Sequence, residues 1–161
     1  ALNERDQSPL FMDIKLLGVG RGHVAQAPIA QELKRLFQSD AFGGSRKTED
    51  FQEESKRFFV NYFKQIALVF VAAWNGRKYA IKSSTALRAF VRVAPDVVRR
   101  LDQEHVDRTD FRAIGRVISP WGHRIGDLRF ETDGAWKKGT SVDLLTKELR
   151  LALQYPEGAM V

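Results

Sequence analysis

Apolar residues recur at helical spacing along most of the chain, and the gaps between stripes fall at glycine, proline and asparagine. The longest stripe runs through Phe51, Phe58, Phe59, Tyr62, Phe63, Ile66, Val69, Phe70 and Ala73, with Glu53, Lys56 and Lys64 off it. Thr48 is a capping hydroxyl, Glu49 and Asp50 favour the positive helix end, and Asn75-Gly76 is a stop. The spacing predicts one continuous helix about 36 Å long, the central strut of the fold. A second helix follows caps at Ser83, Ser84 and Thr85 and carries Leu87, Phe90, Val91 and Ala94 inward. Pro95 predicts a new helix or a kink, with Val97, Val98 and Leu101 buried beyond it. A further helix is expected from Thr109 to Ile118, and a last one, capped by Ser141, with Leu144, Leu145, Leu149 and Leu153 on its face. Upstream, Pro28 opens a helix carrying Ile29, Leu33, Leu36 and Phe37. Two short extended runs, Asp13 to Leu17 and His23 to Gln26, flank Gly18, Gly20 and Gly22 and predict a β-hairpin. Gly43-Gly44-Ser45 and Ser119 to Thr140 read as loops. The expected fold class is mainly α (α+β): a helical bundle around one long central helix with a small N-terminal β-hairpin.

A chain of 161 residues, 43% of them apolar, buries roughly two thirds of its unfolded surface in a single core, so residues 1–161 are expected to form one domain. The absence of cysteine excludes disulfides, thiolate chemistry and cysteine-based zinc sites, and suits a reducing cytoplasm. The opening Ala1-Leu2-Asn3-Glu4-Arg5-Asp6 has neither an initiator Met nor an export signal, and is expected to lie inside a longer protein or to follow a removed tag. The longest apolar run, Ile66 to Trp74, is about half of what a membrane span requires and reads as buried helix.

Charge changes the picture most. From Arg77 to Arg100 the chain holds seven basic side chains (Arg77, Lys78, Lys82, Arg88, Arg92, Arg99 and Arg100) against the single acid Asp96, which equals the whole net charge of +6. Such a local excess attracts polyanions. Arg88 and Arg92, four apart, share one side of a helix next to its apolar stripe. Arg77, Lys78 and Lys82 lie in the loop leading into that helix, whose N-terminus adds free amides suited to an anion. The competing reading is a neutralised face, with Arg100 paired to Asp96 or Glu104, Arg99 solvated, and acids from elsewhere folded onto Arg88 and Arg92.

Other constellations carry no chemistry on their own residues. Gly18-Val19-Gly20-Arg21-Gly22 lacks the strand-then-helix context of a dinucleotide loop, and Gly43-Gly44-Ser45-Arg46-Lys47-Thr48 lacks the spacing of a Walker A loop. His23, His105 and His123 have no partner at i, i+4, so no metal site is expected. Asp127, Glu131, Asp133 and Asp143 show no spacing that singles out an acid and a base, and no nucleophile elbow is present. Neither catalysis by this chain alone nor a cofactor is expected.

Asn61-Tyr62-Phe63, Val69-Phe70, Trp74-Asn75, Lys78-Tyr79 and Ser84-Thr85-Ala86-Leu87-Arg88-Ala89-Phe90 together resemble the helical C-terminal part of DGQHR-domain proteins. That family includes the regulator-like protein of bacterial DNA phosphorothioation (Dnd-type) systems. Leu2-Asn3, Ser8-Pro9-Leu10-Phe11, Trp136, Gly139 and Leu144 to Leu149 occupy comparable places, so the resemblance spans most of the chain. The family's naming motif lies in an N-terminal half similar to ParB-like nuclease domains and is absent; Asp133-Gly134-Ala135-Trp136 shares two letters with it. The resemblance implies that the chain is the C-terminal portion of such a protein.

The function expected from these readings is that of a DNA-associated accessory or regulatory domain of a bacterial DNA-modification or defence system. Its backbone-phosphate contacts would be Arg77, Lys78, Lys82, Arg88 and Arg92. A second expectation is a protein-interaction or oligomerisation module, its long aromatic stripe packing against the missing N-terminal half or a second copy. A third is the substrate-positioning piece of an enzyme whose site lies upstream.

Overall fold

A computed structural model describes residues 35–36 and 49–153, and all of their side chains except those of 49–52 and 138. Between residues 49 and 153 six α-helices follow one another: α1 (Glu49–Val69), α2 (Val71–Asn75), α3 (Ser84–Gln103), α4 (Phe111–Ile118), α5 (Pro120–Arg124) and α6 (Val142–Leu153). Two 3-10 turns, Asp127–Phe130 and Ala135–Lys138, lie between α5 and α6. The fold is mainly α, with no strand among the described residues. One isolated antiparallel bridge joins Tyr79 to Glu131. The hairpin expected over Asp13 to Gln26 lies outside the described residues. Of the helix expected after Pro28, Arg35 and Leu36 are described; both are helical and Leu36 is buried. No helix among the described residues is long and apolar enough to cross a membrane.

The expected single strut is split. Phe70 leaves helical geometry (φ −115°, ψ 58°) and separates α1 from α2, although the Phe70 amide still donates to the Ile66 carbonyl at 3.0 Å. Packing supplies the reason, because the Phe70 ring meets Phe130 edge-on at 5.2 Å between centroids and lies 6.2 Å from Phe90. The Ala73 amide donates to Asp127 Oδ1 at 2.8 Å, so a carboxylate 54 residues away caps the short α2.

The central place falls to α3, which buries Ala86, Leu87, Ala89, Phe90, Val91, Val93, Ala94, Val97, Val98 and Leu101. Ser83 is its N-cap and accepts from the Ala86 amide at 3.2 Å. Pro95 neither ends α3 nor starts a new helix. Burial of Val91, Ala94, Val97 and Val98 on both sides of it offsets the roughly 3 kcal/mol that an interior proline costs. The helix stops instead at His105, whose φ of 56° is left-handed. The His105 amide donates to the Asp102 carbonyl at 3.1 Å and the Val106 amide to the Leu101 carbonyl at 3.2 Å, the paired bonds of a Schellman motif. This terminator role accounts for a histidine the sequence left unassigned.

Two tertiary seams complete the bundle. Along the first, Asn61 Nδ2 of α1 donates to the Thr109 carbonyl at 2.7 Å, Gln65 Nε2 donates to the Phe111 carbonyl at 2.9 Å, and Gly115 of α4 lets the Gln65 carboxamide pass. Along the second, Arg92 pairs with Asp143, Asp96 with Arg150, and Arg100 donates to the Leu153 carbonyl. Ascending numbers on both sides mean that α3 and α6 run parallel.

The segment from Ser119 to Thr140, expected as loop, supplies two of the largest core side chains. Trp121 and Phe130 are fully buried, and Trp121 Nε1 donates to the Leu149 carbonyl at 2.9 Å. Arg129 holds Glu148 through two 2.9 Å bonds, donates to Thr140 Oγ1, and lies over the Trp136 ring. Such a two-pronged bond fastens the turn to α6 with a geometry lysine cannot reproduce.

Two outcomes follow from this packing. Tyr62 is fully buried and its hydroxyl donates to the Phe90 carbonyl at 2.6 Å; burial, then the nearby Asp96 carboxylate, raises its pKa well above the usual 10. Below that pH the phenol is protonated in both folded and unfolded chains. Above it the unfolded chain alone loses the proton, so stability falls with rising pH. Tyr62→Phe is expected to cost about 1 kcal/mol at neutral pH, and urea midpoints of the two proteins converge between about pH 9 and 11. His105→Gly, which removes the cost of a left-handed side chain, is expected to raise stability by about 0.5–1 kcal/mol in the same titrations.

Candidate nucleic-acid interface

The basic stretch enters the fold through the loop between α2 and α3. Backbone bonds pin that loop to the turn at 130–132: the Ala80 amide donates to the Phe130 carbonyl and the Thr132 amide to the Lys78 carbonyl, both at 2.8 Å. Thr132 Oγ1 adds a 3.1 Å bond to the same Lys78 carbonyl. Gly76 permits the tight exit from α2, since a Cβ there would meet the Tyr79 ring at 2.6 Å and the Ala72 carbonyl at 2.8 Å. The backbone carrying Arg77 and Lys78 is therefore tied at several points.

The five predicted residues occupy three environments. Arg77 and Lys78 are exposed, with no carboxylate of the described residues at ion-pair distance. Lys82 is half-buried, its ammonium over the Trp74 ring at 5.1 Å from the centroid, a cation–π contact. Arg88 and Arg92 are half-buried on α3. Arg92 Nη1 lies 2.6 Å from Asp143 Oδ1 of α6; the Asp143 side chain is 90% exposed and that of Arg92 27%. From the start of α3 to Arg92 is about 12 Å along the helix axis, so Arg92 stands more than two helical turns beyond the loop cations.

The remaining basic residues of the stretch are engaged. Arg99 pairs with Asp96 at 3.2 Å, as Arg150 does at 3.0 Å. Arg100, expected to meet Asp96 or Glu104, caps the C-terminal end of α6 at the Leu153 carbonyl, while Glu104 pairs with Arg116. A cation there opposes the negative end of the helix dipole.

Sequence reasoning did not single out the cations that join Arg92 from outside the stretch. Among the described residues, Arg35, Arg92, Asp143, Thr146, Lys147 and Arg150 line an open cleft of about 430 Å³, four cations against one carboxylate. Lys147 and Arg150 are three apart on the polar side of the last helix, a signal present in the sequence but lost in a sum where acids balance bases. Among the described residues no group of three or more His, Asp or Glu could hold a metal ion, and His105 and His123 stand apart. His23 lies outside the described residues. Comparison with protein-family models, with curated proteins and with solved structures finds no match.

The cap that Asp127 gives α2 sets where the loop begins. Asp127→Ala is expected to cost about 1 kcal/mol in urea unfolding and to speed amide exchange from Asn75 to Ile81, while Asp127→Asn, which keeps an acceptor, costs less.

Proposed function

We propose that this chain is a DNA-associated accessory or regulatory domain of a bacterial DNA-modification or defence system, which holds backbone phosphates and reads bases weakly. The observation that carries the reading is the pinned loop: Arg77 and Lys78 stand exposed on a backbone tied at Lys78 and Ala80, just before the positive end of a 20-residue helix. A backbone already held gives up little further freedom when its side chains bind a polyanion. Lys82 above Trp74 and Arg88 on the first turns of α3 extend the same surface. Arg92 joins it when a phosphate displaces the exposed Asp143 carboxylate, a pair worth about 1 kcal/mol or less. The resemblance to the C-terminal part of DGQHR-domain proteins supports DNA as the polyanion and a protein partner upstream. The reading assigns no catalytic step to these residues.

A protein-interaction or oligomerisation role is the second reading, favoured by Leu68, Val71 and Leu128, large apolar side chains left exposed.

Fluorescence anisotropy on a labelled duplex at several salt concentrations tests the first reading. The parent is expected to give a log-log salt slope of about −3 to −4, and Arg77→Ala with Lys78→Ala to flatten it by about 2. Equal slopes for parent and double variant overturn the role of the loop. A stable dimer by light scattering, without DNA binding, favours the second reading.

A further inference from the structure

The α3–α6 seam holds more than its own packing requires. Arg92 and Asp96 of α3 sit one turn apart and meet Asp143 and Arg150 of α6, so each helix gives the other one cation and one anion. That exchange is neutral. Lys147, exposed on α6 between Asp143 and Arg150, and Arg35 from the upstream helical segment add two positive charges to the same cleft. A volume of about 430 Å³ is room for a phosphate group and its ester. The one acid lining it among the described residues, Asp143, is almost wholly exposed and bonds Arg92 Nη1 at 2.6 Å. A carboxylate in that position offers the guanidinium the charge and acceptor that a phosphate oxygen would offer.

We infer that the cleft between α3 and α6 is a phosphate-binding site in which Asp143 is the resident anion, displaced from Arg92 when a phosphate enters against Arg92, Lys147, Arg150 and Arg35. The inference rests on the nucleic-acid reading only for the source of the phosphate; the site itself is defined by charge and volume. Two sources present this chemistry, a strand backbone continuing from the loop, and a free phosphorylated small molecule.

The test is an NMR titration of the 161-residue chain with inorganic tripolyphosphate, observing backbone amides and arginine Nε–H groups, followed by competition with a short DNA duplex. Tripolyphosphate is expected to shift Arg92, Lys147 and Arg150 signals in the parent. Lys147→Ala and Arg35→Ala weaken binding by about threefold to tenfold. Asp143→Asn, which removes the competing charge but leaves the Ser141 cap of α6 in place, tightens it by a similar factor. The opposite signs separate a ligand site from a loss of fold, and circular dichroism of each variant checks the helices. Displacement of tripolyphosphate by duplex assigns the cleft to a nucleic-acid strand. Retention of tripolyphosphate against duplex keeps the cleft and assigns a free phosphorylated ligand, with the salt slopes of the loop variants then deciding the DNA reading separately. Absence of shifts in the cleft at millimolar tripolyphosphate, or Asp143→Asn binding no more tightly than the parent, overturns the inference.

Discussion

The contact on which the rest of the molecule depends is the meeting of Phe90, Trp121 and Phe130. Phe90 lies 5.6 Å from Trp121 and 6.1 Å from Phe130 between ring centroids, and Phe70 closes the group from the end of α1. From Trp121 the chain of rings continues to Tyr62 and Phe58, and from Phe130 to Trp136. Each such pair adds about 0.5–1.5 kcal/mol beyond the area it buries. What matters more is what the rings come from: α1, the middle of α3, the short α5, and the irregular turn after it. One cluster thus draws a segment with little regular structure into the core and aligns two long helices against it.

The loop that carries the exposed cations inherits its position from that cluster. Phe130, buried among the rings, presents its carbonyl to Ala80, and its neighbours Glu131 and Thr132 hold Tyr79 and Lys78. The same turn sends Asp127 back to cap α2 and Arg129 forward to Glu148 of α6. A phosphate contact at Arg77 or Lys78 would therefore be made by a backbone braced from behind, although every residue that braces it is at least 45 positions further along the chain.

Parallel neighbours α3 and α6 place like ends of their dipoles side by side, a mildly unfavourable arrangement. Reciprocal ion pairs along the seam and Arg100 at the α6 C-terminus offset it. The chemistry that lets two parallel helices lie together is also what collects guanidinium groups in one cleft, so structural and ligand-facing roles share the same residues. Only the exposure of Asp143 and the addition of Lys147 and Arg35 distinguish the cleft from a neutral zipper.

Local patterning was enough for the helices themselves: the stripe from Phe58 to Ile66, the Ser83 cap of α3, and the Ser141 cap before α6 were all legible, because a helix records its buried face at intervals of three and four residues. So was the grouping of basic residues between Arg77 and Arg100, a matter of counting. The break at Phe70 and the burial of Trp121 and Phe130 were not, because each is decided by a ring or a carboxylate arriving from tens of residues away. Which cations are matched was likewise hidden: nothing near Arg92 in sequence announces Asp143, and nothing near Lys78 announces the turn that steadies it. The sequence by itself determined helices and charge; tertiary structure decided their breaks, their neighbours and the company each cation keeps, since long-range packing energies exceed the local preferences they override.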